Sequence, residues 1–305
     1  MQVSLERSVL KVLAYFDMFH YPLLKEEVHF FLDHATGLRD VESALEQLVR
    51  AHCVYRHDEF FSLSPDRSLV NRRRKGNQHA GHLLSIAYKV SALLYRFPFV
   101  RGIGISGSLS KNFADEKADI DFFIITRANR LWIARTIMHL FKKLTFLAGR
   151  QHWFCMNYYV DEDAMMIEER NVFTATELVT LMPVAGNGTL DDFFRVNAWA
   201  FDYFPNARLN ARHRFNKFPW YKRMAEWLFN NRFGDALDNY LMHLTSRRWK
   251  KKEDACKLNI KGNRMGLRTG KHFSKPNPYH FQKKVLETYR RKIATVEEQW
   301  SVCSN

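Results

Sequence analysis

At 305 residues, 46% hydrophobic and 14% aromatic, the chain has enough apolar material for one large domain or two to three small ones, which argues against global disorder. Its formal net charge of +15 points to a polyanionic partner such as nucleic acid or nucleotide, with plain solubility as the competing explanation. Cys53, Cys155, Cys256 and Cys303 form no CxxC pair, which fits reduced thiols in the cytoplasm and neither a zinc knuckle nor a disulfide framework.

The first residues, MQVSLERSVLKVLAYF, carry charges within an apolar pattern and no basic leader, so no signal peptide is expected. No stretch is long and apolar enough to span a bilayer. A soluble, cytoplasmic protein without a membrane partner is the expectation. Residues 4–17 predict an amphipathic helix, with Ser4 as N-cap and Leu5, Val9, Val12, Leu13 and Phe16 on one face. A turn at His20-Tyr21-Pro22 leads to a second helix over 25–32. A third covers 39–51, with Val41, Leu45 and Leu48 inward. Strands at 54–56 and 60–63 then flank the polar turn His57-Asp58-Glu59.

Three short helices followed by a hairpin resemble a winged helix-turn-helix over about the first 65 residues. In that family the third helix enters the DNA major groove. Here it offers Arg39 and Arg50 but also Asp40, Glu42 and Glu46, so a docking module that never touches DNA stands level with a DNA reader. The run Arg72-Arg73-Arg74-Lys75 reads as an exposed linker, and a helix over 79–96 follows.

Residues 99–160 alternate strand and helix. FVRGIGIS and DIDFFIIT read as strands, the second buried on both faces; RLWIARTIMHLFKKLTFL reads as a helix and WFCMNYYV as a third strand. TATELVTLMPV predicts a helix stopped near Pro183. Helical patterns follow over 190–204 and 220–244. From 246 to 275 the chain is basic and apolar-poor, an expected exposed segment, before a last helix over 278–299.

The most informative stretch is GISGSLSKNFADEKADIDFFIIT. A strand ends at Gly107-Ser108, and a ten-residue spacer leads to Asp119-Ile120-Asp121 and an apolar run. Glycine lets a backbone approach a triphosphate, and a serine hydroxyl with neighbouring amides can bond phosphate oxygens. Residues 119 and 121 of a strand point to one face. Two adjacent carboxylates favour a shared divalent cation, Mg²⁺ or Mn²⁺. The competing reading is a common turn pair beside a solvated Asp-x-Asp. No Walker A loop, Gly-x-Ser-x-Gly elbow or His-Glu-x-x-His pattern is present, and His79 and His82 read as surface histidines.

This pattern resembles the signature of the DNA polymerase β-like nucleotidyltransferase superfamily. The resemblance implies an α/β or α+β core, a small mixed sheet with flanking helices, over 78–205. A winged-helix-like domain would occupy 1–70 and a helical, basic region 206–305. It implies transfer of a nucleoside monophosphate from a nucleoside triphosphate to an acceptor. Gly107, Ser108, Ser110 and Lys111 would meet phosphates, and Asp119 and Asp121 would hold the metal. The family's third carboxylate has Asn157 at its position. Asn157 could bind as an amide, or Asp161, of the same strand parity, could supply the acid; Asp163, Glu168 and Glu169 lie beyond. DNA or RNA is a candidate partner for the basic surface. Two non-enzymatic readings stay open: a DNA-binding regulator that senses a nucleotide, and an interaction module.

Overall fold

Ser4 caps the first helix as its position predicts: its hydroxyl accepts from the Arg7 amide at 3.4 Å, and α1 runs Leu5–Asp17. Next come β1 (Leu23–Leu24), α2 (Lys25–Phe30) and α3 (Leu38–Arg50), then a hairpin of β2 (Tyr55–His57) and β3 (Phe60–Ser62). β3 lies between β1 and β2, antiparallel to both. The hairpin turns where expected, with Asp58 in the left-handed region at φ 55°. Val28, Val41, Leu45 and Leu48 are buried in one cluster with the apolar face of α1. The computed structural model describes residues 4–116, 118–145, 149, 151–186, 188–208, 219–255, 265–278 and 281–303.

The basic run is not a linker. It lies inside α4 (Ser68–Leu94), a 27-residue helix, and Arg73 is buried. The Arg73 guanidinium donates to Glu27 Oε1 at 2.6 Å, to the Pro22 carbonyl at 3.0 Å and to Asn77 Oδ1 at 2.9 Å. It also stands 3.8 Å above the Tyr21 ring. A count of local charge cannot distinguish this arginine from its solvated neighbours. Further along α4, Gly76 makes room for Phe113: a Cβ there would lie 2.2 Å from the ring. We expect Gly76→Ala to cost about 2 kcal/mol. An unchanged midpoint in chemical denaturation would refute this close packing.

Beyond α4 the chain builds an α+β body around a six-stranded mixed sheet. Its elements are β4 (Val100–Ser106), α5 (Gly107–Ser110), β5 (Asp121–Thr126), α6 (Leu131–Thr145), β6 (Cys155–Asp161), α7 (Val172–Val179) and β7 (Met182–Ala185). Then follow α8 (Thr189–Val196), α9 (Trp199–Tyr203), α10 (Trp220–Phe229), α11 (Arg232–Asp254), β8 (Met265–Thr269), β9 (Phe273–Pro278) and α12 (Phe281–Cys303). Strand order is β7-β4-β5-β6-β9-β8. β5 and β6 are parallel and joined through α6; the other pairs are antiparallel. The run from Phe122 to Ile125 is buried on both faces: Phe122 and Ile124 join one apolar cluster, Phe123 and Ile125 the other.

Three expectations change here. The helix around Glu177 ends at Val179, and Pro183 sits in β7, opposite Gly104. β7 is an edge strand, where a residue without an N–H is tolerated. The pattern over 220–244 is two helices, broken where Asn231 caps α11 by accepting from the Gly234 amide at 3.0 Å. The basic, apolar-poor segment is not simply exposed. Its first part belongs to α11, its middle, 256–264, lies outside the described residues, and its last part forms the β8–β9 hairpin at the sheet edge. Backbone pairing builds that hairpin, and hydropathy does not report it.

Helix α11 also finishes α6. Asp238, nearly fully buried, accepts from the Ile133 amide at 2.8 Å, among the first turn's unpaired N–H groups. Burial is the main cause that pushes the Asp238 carboxyl up to about 6. The stability it contributes is therefore fully present below about pH 4 and is lost as pH rises through about 6. We expect Asp238→Asn to flatten this slope and to be roughly 1 kcal/mol more stable than the parent at pH 7. Urea unfolding from pH 4 to 7 measures it; identical slopes for the two proteins would contradict it.

The last helix returns to the first. Tyr289 meets Tyr15 edge-on at 5.4 Å, and Glu297 accepts from Arg7 at 2.6 Å. One buried apolar cluster includes Val9, Leu45, Phe113, Phe123, Phe193 and Val285, and so runs through the N-terminal unit, the sheet and α12.

Candidate active site

β4 delivers its last residue, Ser106, opposite Asp121, the first residue of β5. The chain then turns sharply into α5. Gly107 has φ +72°, and a Cβ there would lie 2.7 Å from Asp121 Oδ2. The left-handed backbone favours glycine, and any side chain there would push the Asp121 carboxylate aside. The Asp121 carboxylate packs directly against this turn, which is the juxtaposition the spacing predicted.

Asp119 stands two residues before Asp121. Between them Ile120 is fully buried; its amide donates to the His152 carbonyl at 3.1 Å and its carbonyl accepts from Cys155 at 3.2 Å. Extended pairing around a buried central residue places the two flanking carboxylates on the opposite, more open side. The expectation missed His152. Its Nδ1 lies 2.7 Å from Asp119 Oδ1, and the ring is exposed. It belongs to the short turn Gln151–Trp153 before β6, and no motif marks it.

Asn157 does reach the site, by an irregular route. The β5–β6 register steps from Phe122↔Met156 to Phe123↔Tyr158, so Asn157 is the extra residue of a bulge. Its Nδ2 donates to Asp121 Oδ1. Its Oδ1 accepts from the Cys155 thiol at 3.1 Å. As placed, Asn157 orients Asp121 and is not itself poised as a metal ligand. Burial first, and then the Asp121 charge, push the Cys155 thiol up to about 12, so it is a donor and not a nucleophile near neutral pH.

The other expected phosphate contacts divide. Ser108 is exposed at the start of α5. The Ser110 hydroxyl donates to the Gly107 carbonyl at 2.8 Å. Lys111 Nζ donates to the same carbonyl at 3.1 Å and to Glu177 Oε1 at 2.8 Å. Ser110 and Lys111 thus brace the turn from within. Tyr21 adds a strut from the N-terminal unit, its hydroxyl donating to the Lys111 carbonyl at 2.5 Å.

Asp161 does not join this site. It ends β6 beside Thr126, five positions along parallel strands from the Asp121–Cys155 pair. At about 3.3 Å per residue that is about 16 Å away. Strand parity put it on a candidate face but carried no information about distance along the strand. This end of the sheet thus carries two carboxylates, Asp119 and Asp121. Among the described residues, the three-residue group whose ligand atoms all lie within 4.8 Å of one another is Asp161, Asp163 and His272, at the other end of β6. No helix among the described residues is long and apolar enough to cross a membrane.

Comparison with protein-family models, with curated proteins and with solved structures finds no match to this chain.

Proposed function

We propose that this chain is a metal-dependent nucleotidyltransferase with a polymerase β-like core, moving a nucleoside monophosphate from a nucleoside triphosphate to an acceptor and releasing pyrophosphate. The carrying observation is the Asp121 carboxylate packed against the left-handed Gly107 turn, with Asp119 two positions before it across the buried Ile120. A donor set of two carboxylates suits Mg²⁺ or Mn²⁺, and Asp119 and Asp121 would hold it. When bound, the ion supplies positive charge to the triphosphate and to the departing pyrophosphate.

The chain's own groups do the rest. The Gly107 turn lets phosphate approach the backbone, and the exposed Ser108 hydroxyl is the side chain that meets it. Asn157 and His152 orient the two carboxylates through their bonds to Asp121 and Asp119. His152, exposed and bonded to Asp119, carries an imidazole that can accept the proton of an attacking hydroxyl, a role the amide of Asn157 cannot fill. The net charge of +15 favours a nucleic acid or another polyanionic acceptor.

One observation favours a second reading, a nucleotide-sensing regulator. The N-terminal unit has the helix–strand–helix–helix–hairpin order of winged-helix modules, while an amide stands where a third acid belongs. The deciding experiment incubates the protein with each labelled nucleoside triphosphate, Mg²⁺ and mixed RNA or cell extract. Label transfer that disappears in Asp119→Asn supports the enzyme. Nucleotide binding without transfer, with DNA binding lost on charge reversal of Arg39 and Arg50, supports the regulator.

A further inference from the structure

The second end of the β5–β6 pair carries its own polar cluster, built from three separate segments. Asp161, at the end of β6, is fully buried. Its Oδ2 lies 2.9 Å from His272 Nδ1 and accepts from the Asn129 amide at 2.9 Å; its Oδ1 accepts from the Asp163 amide at 3.1 Å. Asp163 is exposed, and its Oδ2 accepts from Asn129 Nδ2 at 3.1 Å. His272 comes from the turn between β8 and β9, and Asn129 from the loop before α6, where it holds φ +59°. The ligand atoms of Asp161, Asp163 and His272 lie within 4.8 Å of one another.

The cluster mixes one imidazole with two carboxylates and gathers them from the end of β6, the turn after it and the β8–β9 turn, which a run of surface acids does not do. Asn129 braces it from a third segment, its backbone N–H donating to Asp161 Oδ2 and its side-chain Nδ2 to Asp163 Oδ2.

The geometry points to a divalent transition-metal site formed by Asp161, Asp163 and His272. One imidazole and two carboxylates suit Zn²⁺ or Mn²⁺ better than Mg²⁺, which prefers an all-oxygen shell. The ion replaces the hydrogen bond between His272 Nδ1 and Asp161 Oδ2, with any displaced proton released to solvent, and neutralises two carboxylates. It is distinct from the Asp119–Asp121 site and does not depend on the proposed transferase reaction. Its effect is structural. The β8–β9 hairpin is registered to β6 at Tyr159↔Ser274 and Val160↔Phe273, and an ion on His272 pins the hairpin at the adjoining residue.

The test uses the full chain without a histidine tag, stripped with chelator, in calorimetric titrations with ZnCl₂, MnCl₂ and MgCl₂. Thermal unfolding and Co²⁺ visible absorption are the second readouts. Zn²⁺ should bind at least about tenfold more tightly than Mg²⁺ and raise the unfolding temperature. Asp163→Asn and His272→Gln alter side chains that are not fully buried, and each should weaken Zn²⁺ binding by at least about tenfold. His272→Gln should also change the Co²⁺ spectrum, and both effects should persist in an Asp121→Asn background, which removes binding at the opposite site. Absence of Zn²⁺ binding, or binding in the Asp121→Asn background that survives both Asp163→Asn and His272→Gln, would overturn the proposal. Loss of binding in Asp121→Asn with retention in the other two would move the ion to the opposite site and overturn it equally.

Discussion

Changing Asp121 to asparagine should leave a folded protein that transfers nucleotide at least about 10³-fold more slowly. The substitution keeps the shape of the side chain. Its carbonyl oxygen can still accept from Asn157 Nδ2, and its bulk still fills the space beside Gly107. Only the charge is lost, and with it half of the anionic pair that attracts the cation. Alanine would be a poorer probe, because it strands the Asn157 amide and opens a gap against the turn. The measurement is label transfer from nucleoside triphosphate, with circular dichroism and a thermal melt on the same preparation. Parent-like transfer by the folded variant would remove Asp121 from the reaction. Asp161→Asn serves as the counter-arm: that carboxylate accepts three bonds in a buried position about 16 Å away, so stability should fall while transfer per folded molecule persists.

Much of this arrangement could be read in the residues, and the parts that could not share a physical cause. The Gly-Ser turn, the Asp-x-Asp and the buried strand between them are local: each is set by backbone freedom, alternation and a continuous apolar run. They meet because adjacent antiparallel strands put the end of one beside the start of the next, as Ser106 and Asp121 are. Asn157 was found on the right strand, but the bulge that swings it toward Asp121 leaves no mark in hydropathy. His152 was missed because its partner, Asp119, is 33 positions away in the chain. Asp161 was misplaced for the converse reason: parity specifies a face and not a position along the strand. The β8–β9 hairpin was missed because edge pairing is a backbone property, and its sequence is too polar to show a strand.

The basic run gives the sharpest contrast between composition and context, and two neighbouring arginines test it. Arg73→Met should cost about 3–5 kcal/mol. Its side chain is 1% exposed, and its removal leaves Glu27 Oε1 and the Pro22 carbonyl without their donor and Tyr21 without the cation above its ring. Methionine fills much of the volume, so the loss reports these broken bonds more than a cavity. Arg74, one position on, is half exposed at 50% and meets Asp58 at 3.0 Å and Glu59 at 2.9 Å across solvent. Surface pairs of this kind contribute little, and Arg74→Ala should cost under about 1 kcal/mol. Urea unfolding midpoints of the two variants, compared at equal slope, decide the matter. The same Arg73 cluster holds Tyr21, whose hydroxyl supports the Lys111 carbonyl beneath the Gly107 turn. Loss of Arg73 should therefore also loosen the candidate site, seen as a weaker nucleoside triphosphate affinity in protein that is still folded at low temperature. Equal midpoints for the two variants would mean that Arg73 is solvated like its neighbours, and that the N-terminal unit is not clamped to α4 as described.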